Sequence, residues 1–138
     1  MFKYVKNLNG SHATPDCIEI PIASHETVEM GSLGCFFETG VEFYNGGKMG
    51  GSYVTVEPKK NGDGKTYVKA IKALPGMVFE VPLTGYSEES IVGIGSLLSS
   101  RQGSGANHTT VCADPGDYIE VIGMDDYEKT GNILVTFI

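Results

Sequence analysis

No apolar run in the 138 residues approaches the roughly 18 residues of a transmembrane helix. The opening segment MFKYVKNLNGSHATPDC lacks the apolar core of a secretory leader. Neither a membrane partner nor export is expected. Three cysteines, Cys17, Cys35 and Cys112, leave one unpaired under any disulfide scheme, and none stands in a C-x-x-C. A reduced, cytosolic site of synthesis is the simpler reading, with the cysteines buried as small hydrophobes. His12, His25 and His108 form no pair at the short spacing of zinc ligands, so no metal is expected. Basic residues are also few, ten against seventeen acidic, for a net charge of −7. That balance disfavours a nucleic-acid partner, whose footprint is a basic patch or stripe. It suits a protein that stays soluble at high local concentration.

Glycine, by contrast, is plentiful: 19 residues, about twice the usual share of roughly 7%. Scattered among Val, Ile, Thr and aromatics, it signals many turns between short strands. The length is that of one domain, large enough for a core without metal or disulfides. The expected fold is all-β, a small β-barrel or β-sandwich, with an extended N-terminal arm over residues 1–25 and the body over 26–138. Within the arm, NLNGSHATPD is turn chemistry, and CIEIPIAS is a short extended run that Pro21 confines to an edge or an arm. The arm is expected to lean on the body or on a neighbouring molecule.

Beyond it, VEFYNGGKMGG carries the hairpin signal Asn45-Gly46-Gly47. SYVTVEP alternates so that one face is dry. TYVKAIKAL has apolar residues at helical spacing (Tyr67, Ile71, Leu74), but nine residues ending at Pro75 favour a strand. GMVFEVPLTG and ESIVGIGSLL read as strands. DYIEVIGM and ILVTFI flank the acidic turn DDYEKTGN as a terminal hairpin.

Each feature that suggests catalysis has a plainer explanation. Gly64-Lys65-Thr66 matches the end of a phosphate-binding loop, but Lys59 stands where the first glycine belongs, and no long helix follows. NGDG suits the tip of a turn. Gly93 and Gly95 lack the third glycine of a dinucleotide fingerprint, because Leu98 occupies its place. They are read as a bulge or close approach within a strand. Ser24-His25-Glu26 is adjacent only in sequence, whereas triads are assembled by the fold. His25 and His108 lie in polar turn sequence and are expected to be exposed. Asp114, Asp117, Asp125, Asp126 and Glu128 lack the spacing of a calcium loop and fit a solvated hairpin tip. No cofactor and no enzymatic activity are expected.

Two families share part of this pattern. GMDDYEKTGNILV faintly resembles a motif of trimeric dUTP pyrophosphatases, with Gly123 and Asp126 in place. Tyr127 comes too early, however, and that family's Arg-Ser and C-terminal glycine-rich motifs are missing. More of the chain, residues 18–138, is similar in segment order to bacteriophage head decoration (capsid cement) proteins. The likeness lies in IPIASHETVEMGSLGCFF, ALPGMVFEVPLTG, IVGIGSLL and PGDYIEVIGMDD…GNILVTFI. The glycine-rich insertion from Tyr44 to Lys65 departs from it.

The resemblance implies a structural protein of the virion, made in the host cytoplasm, that binds the capsid exterior and stabilises the lattice. Its partner would be the major capsid protein, and a homotrimer is one state the family adopts. Cys17, Ile18, Glu19, Ile20, Pro21 and Ile22 are then the contact residues of the arm. The rival reading is a carbohydrate- or receptor-binding β module of a phage head fibre or tail. Phe43, Tyr44 and Tyr53, around the 46–51 loop, would be its surface contacts, although aromatics there also suit cross-strand pairs.

Overall fold

Alternating apolar side chains and frequent turns produce eleven strands and a single helical turn among the described residues. The structure is a computed structural model that describes residues 1–11, 15–22, 26–36, 43–45, 52–87, 89–102 and 108–138. In chain order the strands are β1 (Lys3–Asn7), β2 (Cys17–Pro21), β3 (Leu33–Phe36), β4 (Phe43–Asn45), β5 (Ser52–Thr55) and β6 (Tyr67–Ala73). They continue with β7 (Met77–Thr84), β8 (Leu97–Gln102), β9 (His108–Pro115), β10 (Ile119–Gly123) and β11 (Asn132–Phe137), with α1 (Tyr127–Thr130) before the last.

Five strands close on themselves. β7 pairs with β11, β11 with β10, β10 with β8 and β8 with β9, all antiparallel. The ring is completed by a parallel pairing of β9 with β7 at Leu83↔Val111 and Thr84↔Cys112. Closure leaves these five strands without a free edge between them. The barrel core holds Phe79, Val81, Val111, Ile119, Val121, Ile133 and Val135, all buried. The ring of Phe137 meets Phe79 edge-on at 5.3 Å.

The remaining strands extend from the barrel. β1 lies along the first half of β7, from Lys3↔Glu80 to Asn7↔Met77. On the other side β3, β5, β6 and β2 follow β9 in that order, and β4 pairs with β3. β6 joins two cores, and its burial changes phase midway. Val68 and Ala70 bury one face in a small cluster with Ile20, Ile22 and Val28. Ile71 and Ala73 bury the opposite face in the main core. That double commitment fixes TYVKAIKAL as a strand, since helical spacing could not serve both faces.

Several expectations hold. The fold is all-β around a closed barrel. The C-terminal hairpin is present, its ladder running from Ile119↔Phe137 to Gly123↔Leu134. NGDG is a turn: Gly62 and Gly64 adopt φ of +84° and +76°. Asp63 accepts the Lys60 and Lys65 amides at 3.0 and 2.9 Å. Those two bonds hold its carboxyl below the usual carboxylate range.

Others are corrected. The extended arm expected over residues 1–25 is not confirmed among the described residues. β1 and β2 are edge strands of the sheet, and β2 leans on the body through β6. Ile20 and Ile22 anchor it because their side chains are buried in the small cluster. ESIVGIGSLL is a strand only from Leu97, because Gly95 at φ +89° turns the chain. Cys112 is buried but Cys17 is exposed, since its strand has no outer neighbour. His108 is half-buried rather than exposed, covered by its place in β9.

Candidate partner-binding edge

The residues CIEIP of β2 contain a proline within a strand, which is compatible with an edge position. β2 pairs with β6 from Cys17↔Ile71 to Pro21↔Tyr67. The next amide along, Ile22, donates to the Thr66 carbonyl at 2.9 Å. In an antiparallel ladder the bonded positions alternate. Ile18, Ile20 and Ile22 therefore direct their backbone groups at β6, while Cys17, Glu19 and Pro21 direct theirs away. The proline occupies a position where a missing N–H costs nothing. Along the outer side this leaves the amides of Cys17 and Glu19 and the carbonyls of Cys17, Glu19 and Pro21 as hydrogen-bonding groups for an added strand.

The side chains of β2 follow the same alternation. Ile20 and Ile22 are buried, at 2% and 3% exposure, whereas Ile18 on the same face is 43% exposed. Cys17, Glu19 and Pro21 are exposed. Ile18 is left partly open because it borders a groove of about 530 Å³, which Tyr4, Asn7, Pro15, Asp16, Lys72, Leu74, Pro75 and Met77 also line. The groove spans the corner where the β6–β7 turn brings the two N-terminal edge strands together.

A second cleft, of about 300 Å³, opens between β8 and β9 beside Asp117 and Tyr118. On its wall Ser100 Oγ and His108 Nδ1 are 2.9 Å apart. Partial burial lowers the imidazole pKa below its usual 6.5, so the ring is neutral at pH 7. A neutral imidazole could take a hydroxyl proton. In the triad arrangement, however, it is Nε2 that faces the serine and Nδ1 that meets the carboxylate. Here Nδ1 is the nitrogen engaged by Ser100, so the pair ties β8 to β9 across the ladder. Sequence reading missed it because eight positions separate the two residues and only strand pairing unites them.

Of the aromatic set, Tyr53 is half-buried and packs against the small cluster, so it belongs to the core more than to a binding surface. Phe43 and Tyr44 pair through their backbones with Phe36 and Cys35. Their side chains, the 46–51 loop, His12, Ser24 and His25 lie outside the described residues. The carboxylates Asp114, Asp117, Asp125, Asp126 and Glu128 are exposed. Among the described residues no three His, Cys, Asp or Glu side chains come together to hold a metal ion. No helix among them is long and apolar enough to cross a membrane.

Comparison of the chain with protein-family models, with curated proteins and with solved structures finds no significant match.

Proposed function

We propose that this protein is a non-enzymatic decoration protein that docks on the outer surface of a phage capsid lattice and stabilises it. The open outer edge of β2 supports this reading most directly. The Cys17 and Glu19 amides and the Cys17, Glu19 and Pro21 carbonyls point away from the body, and this stretch suits strand addition to an edge of the major capsid protein. Backbone bonds along that edge supply affinity without a deep pocket. A protein that binds only the mature lattice stabilises that lattice by mass action. In this reading the contact segment is residues 17–22. It acts as a docked edge strand, with Ile20 and Ile22 serving as anchors rather than contacts.

Glu19→Pro tests this directly. It deletes an outward amide and leaves the β6 ladder intact, just as Pro21 does naturally. The variant should melt within a few degrees of the parent yet lose most of its occupancy on purified capsids, measured by co-sedimentation. Normal occupancy by a folded Glu19→Pro protein would remove β2 from the contact. Thiol footprinting gives a second readout. Cys17 should label readily on the free protein and become protected on the particle, while buried Cys112 stays protected in both states.

A further inference from the structure

Ile18, Ile20 and Ile22 share one face of β2, yet only the last two are covered, packing with Val28, Val68 and Ala70. Ile18 is 43% exposed and forms part of the wall of the groove of about 530 Å³. Another part of that wall, from Leu74 to Met77, is fixed before anything binds. In this β6–β7 turn the Met77 amide donates to the Leu74 carbonyl at 3.1 Å, with Gly76 at φ +91°. The Leu74 amide donates to Met77 Sδ at 3.3 Å. The Leu8 amide, just past β1, donates to the Gly76 carbonyl at 2.7 Å. Packing against a wall held this way costs little ordering entropy.

The edge beside the groove decides what can fill it. Ile18 belongs both to the groove and to the strand whose outer side meets no other strand among the described residues. On that side the outward backbone groups recur every second residue, at Cys17, Glu19 and Pro21. An extended backbone matches that spacing, whereas a helix uses its own groups in internal bonds. Side chains of an added strand alternate as those of β2 do, so the residue opposite Ile18 shares the groove face. In antiparallel addition that pair is of the non-hydrogen-bonded kind, with Cα atoms about 4.5 Å apart and side chains close. The groove is lined by the apolar Tyr4, Pro15, Ile18, Leu74, Pro75 and Met77, and its two charged residues, Asp16 and Lys72, cancel. Such a lining suits an uncharged aliphatic or aromatic side chain. Its volume falls in the range of about 300–1,000 Å³ usual for binding pockets.

We propose that the groove is the anchor pocket of the β2 edge. The segment that adds to β2 is an extended strand whose residue opposite Ile18 is a large aliphatic or aromatic side chain, seated against Leu74, Pro75 and Met77. This inference rests on β2 as the docking edge and names the side chain that the edge selects. Backbone bonds supply the affinity of such an edge, and the pocket supplies its choice of partner.

The test pairs a probe peptide with purified capsids, using the full chain and Leu74→Asp. Leu74 is 48% exposed and lies outside the β2 ladder, so the variant should fold, and circular dichroism verifies that it does. The probe is acetyl-Thr-Thr-Lys-Leu-Lys-Thr-Thr-amide, titrated against the protein by amide NMR. It should shift the Cys17 and Glu19 resonances together with those of Leu74 and Met77. The same peptide with aspartate at its centre should bind at least about tenfold more weakly, as should Leu74→Asp with the leucine peptide. On capsids, Leu74→Asp should lose most of its occupancy in co-sedimentation. Equal binding of the two peptides would overturn the pocket. Normal capsid occupancy by folded Leu74→Asp would overturn it too, while leaving β2 as the docking edge. A parent that forms dimers which Leu74→Asp abolishes would place a second copy in the groove instead. A parent that ignores capsids but discriminates between the peptides would remove the decoration reading and uphold the pocket.

Discussion

Single side chains set the tolerance of the junction between barrel and extension. Thr55, buried in β5, accepts the Ser32 amide at 3.0 Å and donates to the Glu29 carbonyl at 2.7 Å. Thr55→Val keeps the shape but removes both bonds, so it should cost about 1–3 kcal/mol, read as a lower urea midpoint with unchanged slope. His108 gives the molecule a pH response. Its pKa is lowered by burial, so the unfolded chain takes up a proton before the folded one does. Its contribution to stability is complete above about pH 6.5 and is lost as pH falls below that value toward the lowered folded pKa. The melting temperature should therefore drop between pH 7 and pH 5, and His108→Gln should flatten part of that drop. An unaltered profile in the variant would show that other groups carry the acid sensitivity. Lys59 shows what sequence conceals at this scale. In a polar stretch it is nevertheless buried, its Nζ donating to the Glu26 carbonyl at 2.7 Å and its backbone bridging Val28.

At the level of elements, legibility followed how many neighbours a segment answers to. The terminal hairpin was readable because Ile119, Val121, Ile133 and Val135 alternate cleanly into one core. TYVKAIKAL was ambiguous because β6 serves two cores and its apolar period breaks at Ala70–Ile71. Ile91 and Ile94 misled for another reason. Exposed aliphatic residues on an anchored turn have the same local pattern as a strand. β1 went unread because NLNG dominates its neighbourhood, and only β7 makes KYVKN a strand. Pro21 pointed to an edge or an arm for β2, but its docking onto β6 was not legible, since the partner lies some fifty residues on. One glycine carries a clear prediction here. A Cβ on Gly116 would fall 2.1 Å from the Leu98 carbonyl oxygen, inside the β8–β9 crossing. Gly116→Ala should destabilise by about 1–3 kcal/mol, as overpacking does, whereas Gly62→Ala would meet open space and act only through its positive φ. Equal losses at the two sites would contradict the crowding account.

At the scale of the whole molecule, a closed five-stranded barrel carries further strands along one side, and the net charge of −7 falls within residues 76–138, which form the barrel. Composition announced the class, since turn-rich glycine among β-formers has few other outcomes, but nothing local announced the parallel β7–β9 pairing that closes the ring. The proposed role depends on this asymmetry. In that proposal the extension would present the β2 edge to a shell, and the acidic surface would keep particles apart. The segment of the candidate site was named from the sequence, but only strand pairing shows that Ile20 and Ile22 are buried anchors while Ile18 stays exposed. The most direct measurement is the copy number of this chain in density-purified virions from the culture that carries its gene, by quantitative mass spectrometry against the major capsid protein. Decoration predicts a fixed ratio of one chain per capsid subunit, or one per few. Complete absence from the particles would contradict it, and a handful of copies per particle would reassign the protein to a fibre or vertex.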